Sequence, residues 1–371
     1  MEWLRRIVGG RGQEKSPPAL SVPMLSDGEV ASQQAQRAER IAEARRAAFD
    51  GGGQLPFREI LSGLPADGVV YVGLDHADRL VLATSPSDPD QSYAGRDEAP
   101  GWASFPHSVA SESYPVRIEV FDPQGQSTTV ATSLPVAYPQ LQPTPDGGFL
   151  VVGTRARYTS SGPESNAIVL DRTGDAIGSF CIGDGVEHVQ VTPSGKIWVG
   201  YFDEGVYGNY GWGSPDGPEP LGSAGLVRWS LDGEHEYGFS TAEGPDWIDD
   251  CYALSVIDED AWACYYSDFP VVRVRPDGSV TSWTCGVAGA RGLAVLDAER
   301  VGLVGGYDGL FDRLVVAELG DGQCTGIRTF QLVTPEGAEL PTDARVFARG
   351  SSIHALTSGR WLRTDLRDVP A

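Results

Sequence analysis

The chain has 371 residues and carries 51 Asp and Glu against 28 Lys and Arg, a formal charge of -23 at pH 7. Binding to phosphates needs a basic face, so this balance argues against nucleic acid and anionic membrane as partners and suits either a cationic ligand or plain solubility. An apolar share of 41% excludes a largely disordered chain, and 47 Gly with 26 Pro in no collagen period imply many turns.

Residues 1–54 read as a short helical and disordered N-terminal extension. The first 50 residues hold eight Lys and Arg against seven Asp and Glu, so the acid belongs to the remaining 321 residues. Residues 9–26 are rich in Gly, Pro and Ser, and the composition of 29–49 predicts a helix there, capped by Ser26 or Asp27. Its stripe is mostly alanine with Ile41 and Phe49, which reads as a frayed helix on a tether, with docking on a protein partner as the alternative. Arg5 and Arg6 interrupt the apolar stretch that a signal peptide needs, and no run approaches 18 apolar residues, which predicts a cytoplasmic protein with no membrane span. Cys181, Cys251, Cys264, Cys285 and Cys324 lack metal-ligand spacing and read as buried reduced thiols.

From residue 55 onward one unit recurs. Its clearest copy runs through strand 186–191, turn 192–195, strand 197–201, a long loop, strand 226–229, turn 231–234 and strand 236–239, a four-stranded meander. Copies fall at about 69–132, 140–182, 187–240, 252–285 and 292–332. A sixth has three strands, at 345–348, 352–356 and 361–366, and residues 57–61 are expected to supply its missing outer strand. A period of about 50 residues that closes on itself predicts an all-β, six-bladed β-propeller over 55–371. Seven blades is the alternative if 85–114 hides further strands.

Alternation of strand direction sorts the loops onto two faces. One face takes Pro145-Asp146-Gly147, Pro193-Ser194-Gly195 and Pro276-Asp277-Gly278, tight turns built on Asp and Gly. The other takes the blade connections, which bring Glu187, His188, Asp249, Asp250, Arg291 and Arg345 to one mouth of the channel. The loops between second and third strands add Asp203, Glu204, Tyr207, Asn209 and Trp212 from 202–220, Tyr266 and Asp268 from 265–270, and Tyr307 and Asp308 from 305–313. Such loops on a rigid scaffold are where binding residues concentrate. The segment 202–220 holds five glycines and four aromatics, which suits either a lid over a ligand or a structured cap.

Two functions fit that mouth. The first is a non-catalytic propeller that binds a small molecule or a protein segment. The alternative is a lyase or lactone hydrolase dependent on a divalent cation, with His188, Asp203, Glu204, Asp249 and Asp250 as hard-donor candidates. A plain salt-bridged plug through Arg291 and Arg345 competes with both. The chain has no G-x-S-x-G and no cysteine with a clear histidine partner, which leans against an enzyme. Trp198, Trp229, Trp262 and Trp283 read as packing between blades.

The phrases PSGKIWVG and RPDGSVTSW resemble six-bladed propellers of the gluconolactonase and streptogramin-lyase kind over roughly residues 65–366. The longer phrases VEHVQVTPSGKIWVGYFDEGVYGN and DDCYALSV with WACYYSDFPVVRV look like an uncharacterised group of actinobacterial β-propeller proteins, a resemblance that implies no activity. The gluconolactonase resemblance implies a divalent cation held by one Glu, two Asn and an Asp. This chain has only Asn166 and Asn209, both in loops between second and third strands, so that quartet is not carried over. The lyase resemblance implies a His/Glu/His set with magnesium, of which His188 alone stands at the expected mouth.

Overall fold

In the computed structural model, which describes residues 27–87, 96–97, 105–240 and 246–370, apolar strands broken by tight turns fold as successive antiparallel meanders. Blade 1 is Val69–Leu74, Leu80–Thr84, Val109–Phe121 and Ser127–Val136; blade 2 is Pro139–Pro143, Phe149–Gly153, Ala167–Leu170 and Ala176–Phe180. Blade 3 is Val186–Val191, Ile197–Tyr201, Leu226–Trp229 and His235–Gly238; blade 4 is Asp250–Ile257, Asp260–Tyr266, Val271–Val274 and Val280–Trp283. Blade 5 is Gly292–Leu296, Arg300–Val304, Arg313–Gly320 and Gln323–Val333, and blade 6 carries Arg345–Arg349, Ser352–Thr357 and Arg360–Asp365. The innermost strands touch in sequence, and that of blade 6 touches that of blade 1, so the wheel is closed. The protein is a six-bladed β-propeller. Within 85–114 the described residues add only the start of the long third strand and the short pair Arg96–Asp97 with Phe105–Pro106, so they form no seventh blade.

The N-terminal side is sewn into two blades. Gly53–Pro56 runs parallel to Gln323–Val333 as a fifth strand of blade 5, and Arg58–Ser62 pairs antiparallel with Arg360–Asp365 as the outer strand of blade 6. Between them Phe57 is 1% exposed and shares a core with Leu55, Leu332, Ile353 and Leu362. Burial at roughly 2 kcal/mol for each large apolar side chain ties both blades to this segment.

The helix α1 spans Asp27–Phe49; Ser26 and the tail before it lie outside the described residues. Residues 31–40 are exposed, whereas Ile41, Ala44, Arg45, Ala48 and Phe49, on one face at helical spacing, are half-buried against blade 5. The expectation of a frayed tether does not describe this part, which is held by burial of that face and by ion pairs of Arg45 with Asp312 and, at 3.7 Å, with Glu339. Arg45 donates to both carboxylate oxygens of Asp312 at 2.7 Å and to the Gly309 carbonyl at 2.8 Å, with its guanidinium over the Phe49 and Phe311 rings. Asp312 is fully buried and also accepts from Gln331.

The hub is closed by one side chain. Arg349 of blade 6 is buried on the axis and donates to the carbonyls of Leu74 at 3.1 Å, Val191 at 2.8 Å and Val256 at 3.0 Å, and to Gln142 Oε1 at 2.9 Å. These partners belong to blades 1, 3, 4 and 2. Burial lowers its pKa to about 10, against an opposing pull from Asp75, Tyr71 and Asp78. Arg349 separates a cavity of about 150 Å³, lined by Tyr71, Gln140, His188, Gln190 and Phe347, from one of about 220 Å³ on the turn face.

The cysteines depart in part from the sequence reading. Cys285 and Cys324 form a disulfide that joins the end of blade 4 to the fourth strand of blade 5, so the reduced-thiol reading holds only for Cys181, Cys251 and Cys264. A bridged pair is the form that persists in oxidising compartments. Trp198, Trp229 and Trp262 are buried, and Trp283 stacks on Trp262 with ring centres 5.6 Å apart. No helix among the described residues is long and apolar enough to cross a membrane.

Candidate functional site

The mouth is shaped by bulges in the innermost strands. In blade 3 the pairing with Ile197–Tyr201 steps from Val186 to His188, and in blade 4 the pairing with Asp260–Tyr266 steps from Cys251 to Ala253. Glu187 and Tyr252 are the residues skipped. A bulge leaves one residue out of the ladder and re-aims its side chain, which here turns both toward the upper rim.

Tyr252 anchors an aromatic cluster. Its ring lies edge-on to Phe269 at 5.3 Å and to Tyr307 at 6.1 Å, and its hydroxyl accepts from that of Tyr307 at 2.9 Å. Tyr266 meets Phe269 at 5.8 Å. The Arg291 guanidinium sits 4.2 Å over the Tyr252 ring and donates to Glu187 at 3.3 Å. Beside this cluster Asp249 accepts from Trp247 Nε1 at 2.9 Å, from Ser267 Oγ at 3.3 Å and from the Tyr207 hydroxyl. Blades 3, 4 and 5 therefore share one surface of rings and carboxylates.

Its electrostatics are those of crowded acid. Burial, then the charges of Glu187, Asp203 and Asp249, push Asp250 up to about 6, against an opposing pull from Arg291. Oδ1 of Asp250 is buried with no hydrogen-bond partner. Burial and the bond to Asp249 raise Tyr207 to about 12. His188 is half-buried, with burial lowering its pKa, so the neutral ring donates from Nε2 to the Tyr252 carbonyl at 3.1 Å.

Several residues singled out in the sequence stand apart from this surface. Glu204 pairs with Arg155 at 2.6 Å, and Arg155 also holds Asp184 in a buried bidentate pair while lying 4.4 Å from the Tyr210 ring. Trp212 is 4% exposed and donates to the Ala156 carbonyl at 2.9 Å, and Asn209 accepts from the Tyr210 amide. These contacts fasten 202–220 onto blade 2, beginning with the short helix α2, Asp203–Tyr207. A Cβ on Gly205 would lie 2.4 Å from the Asp184 carbonyl oxygen, so the close approach requires glycine. Asp268 and Asp308 are exposed at left-handed turn positions, with φ of 47° and 53°. Arg345 donates to the Val69 carbonyl at 3.3 Å, between blades 6 and 1.

Sequence reasoning did not select Trp247, Tyr252 or Phe269. The signal available was the crowding of aromatics around Asp249 and Asp250, at 247, 252, 265, 266 and 269. Among the described residues no three His, Cys, Asp or Glu side chains are gathered so as to hold a metal ion.

A family described as the YxzG family matches residues 238–287, the last residue of blade 3 and all four strands of blade 4. No curated protein matches the chain. Similar solved structures include virginiamycin B lyase from Staphylococcus aureus, 9% identical over 83% of this chain and 97% of that one, with a TM-score of 0.40. YCF48 bound to D1 peptide is 12% identical over 85% of this chain and 99% of that one, with a TM-score of 0.41. A putative gluconolactonase is 14% identical over 84% and 91%, with a TM-score of 0.35.

Proposed function

We propose that this propeller is a non-catalytic binding protein that captures a ligand or protein segment on the upper rim over blades 3 to 5. The observation that carries the reading is the convergence there of Tyr207, Trp247, Tyr266 and Tyr307, each between 45% and 64% exposed. Large aromatic side chains are costly to leave in water, and grouped exposure marks interaction surfaces. The cavity beneath, at about 150 Å³, is below the roughly 300–1,000 Å³ of ordinary small-molecule sites, which favours a segment lying across the rim over a buried metabolite. The rival reading, a lyase or lactone hydrolase using a divalent cation, needs His188 and the acids as one ligand set. His188 instead faces the Tyr252 carbonyl, and Glu204 is tied to Arg155.

The test is a displayed library of random peptides selected on the wild-type protein, with enriched sequences remeasured on Trp247→Ala/Tyr307→Ala. Binding at least tenfold weaker on the variant is expected. Enriched peptides that bind both proteins equally, or no enrichment, would count against the rim. One mole of tightly held divalent metal per mole of protein, found by elemental analysis, would revive the rival.

A further inference from the structure

We infer that the segment taken by the rim is basic, with an arginine or lysine side chain laid against Trp247 and Tyr207 and its charge opposite Asp249. This deepens the binding reading above and rests on it. Trp247, Tyr207, Tyr266 and Tyr307 are the exposed large aromatic side chains among the described residues, and all stand on this one rim. The ring faces carry negative quadrupole charge, so they attract a cation as well as apolar surface. Between them stand the carboxylates of Glu187, Asp203, Asp249 and Asp250, which act on one another across the rim and are offset by Arg291. Oδ1 of Asp250 is buried and unpartnered.

The surface already holds one guanidinium in this way. Arg291 lies 4.2 Å over the Tyr252 ring with Glu187 as its counter-charge, a cation between a ring and a carboxylate. Trp247 and Tyr207 beside Asp249 repeat that pairing of ring and acid with no cation upon it among the described residues, where Asp249 is held by neutral donors from Trp247, Tyr207 and Ser267. An incoming basic side chain would complete the second copy. A polypeptide fits better than a free small cation because the rings are spread over an open face contributed by three blades, where an extended segment meets several at once.

The experiment uses the full chain, a capped pentapeptide with two arginines, and its isostere with both arginines replaced by citrulline, in 150 mM salt. Titration calorimetry and Trp fluorescence are expected to show the arginine peptide binding at least tenfold more tightly than the citrulline peptide. Trp247→Ala and Asp249→Asn should each weaken it at least fivefold with unchanged thermal unfolding, whereas Ile177→Ala, on the outer strand of blade 2, should change nothing. Binding should also fall as salt rises, because the contact is between exposed charges. Equal affinity for the two peptides overturns the basic class while leaving a rim that binds. An arginine preference untouched by Trp247→Ala and Asp249→Asn overturns the site, because a strongly acidic protein attracts cations non-specifically. Arg5→Gln/Arg6→Gln serves as a control for the chain's own N-terminal segment. Unchanged affinity is expected, and tighter binding of the peptide to that variant would assign the rim to this segment instead.

Discussion

Replacing Arg349 by methionine tests the account of the hub. The guanidinium makes four hydrogen bonds of 2.8–3.1 Å, three to backbone carbonyls and one to Gln142, which together span blades 1 to 4 from blade 6. Each charge-assisted bond is worth about 1.5–3 kcal/mol in the fold, and each buried acceptor left bare costs about 1–3 kcal/mol. Against this stands relief of the guanidinium's desolvation, the effect that lowers its pKa to about 10. Four neutral acceptors left bare, less that relief, give an expected net loss of about 3–5 kcal/mol. It is a large part of the roughly 5–15 kcal/mol that holds a domain folded. Urea unfolding followed by Trp fluorescence should show the midpoint fall sharply for Arg349→Met, and less for Arg349→Lys, whose single ammonium cannot reach all four acceptors. A variant within about 1 kcal/mol of wild type, with the same denaturant slope, would refute the claim that this residue fastens the blades.

Three other outcomes are expected from the contacts. The folded pKa of Asp250 lies above its unfolded value, so the native state binds more protons than the unfolded state between about pH 4 and 6, and this group costs stability as pH rises through that window. Asp250→Asn should therefore melt higher than wild type at pH 7.5, by about 1 kcal/mol after allowance for partial exposure, and match it near pH 3.5; a constant offset at every pH would reject this cause. Arg45→Ala leaves the Asp312 carboxylate buried and uncompensated, so about 2–3 kcal/mol should be lost and limited proteolysis should cut within α1; resistance equal to wild type would show that the helix is held otherwise. Cys285→Ser opens a cross-link between residues 39 apart in sequence and should cost about 3–4 kcal/mol, and unfolded, unreduced wild type should titrate three thiols where a fully reduced chain gives five.

The blades were legible because their turns repeat one chemistry. At 144–148, 192–196 and 275–279 the same two backbone bonds close the hairpin around a glycine at φ near 86°. Strands between such turns could only be short and antiparallel. The rim was less legible, since its two aiming residues, Glu187 and Tyr252, are set by bulges, and a bulge depends on the partner strand's register rather than on residue type. Trp212 and Glu204 carried the right chemistry in the right loop, yet contacts with Ala156 and Arg155 drew them away from the rim, while Asn209 accepts locally from the Tyr210 amide. Arg349 was not singled out in the sequence at all. A lone arginine at the end of an apolar strand reads as solvent-facing, and only closure of the ring places it on the axis. The disulfide and the docking of α1 depend likewise on contacts between segments distant in sequence.

Hub and rim are linked through blade spacing. Tyr207, Asp249 and Tyr307 come from blade 3, the connection to blade 4, and blade 5, so the distance between an incoming cation's ring and its carboxylate is set by how neighbouring blades are held apart. For blades 3 and 4 that separation is held where the carbonyls of Val191 and Val256 converge on Arg349. A loosened hub would spoil a cradle that it never touches, because displacement of about an ångström already degrades a preorganised contact. The converse does not hold. Trp247 and Tyr307 are exposed and make no contact at the hub, so rim substitutions should alter binding while leaving the unfolding midpoint in place. On the proposed reading, the rim is for that reason the part of the wheel whose ligand preference can change without cost to the fold.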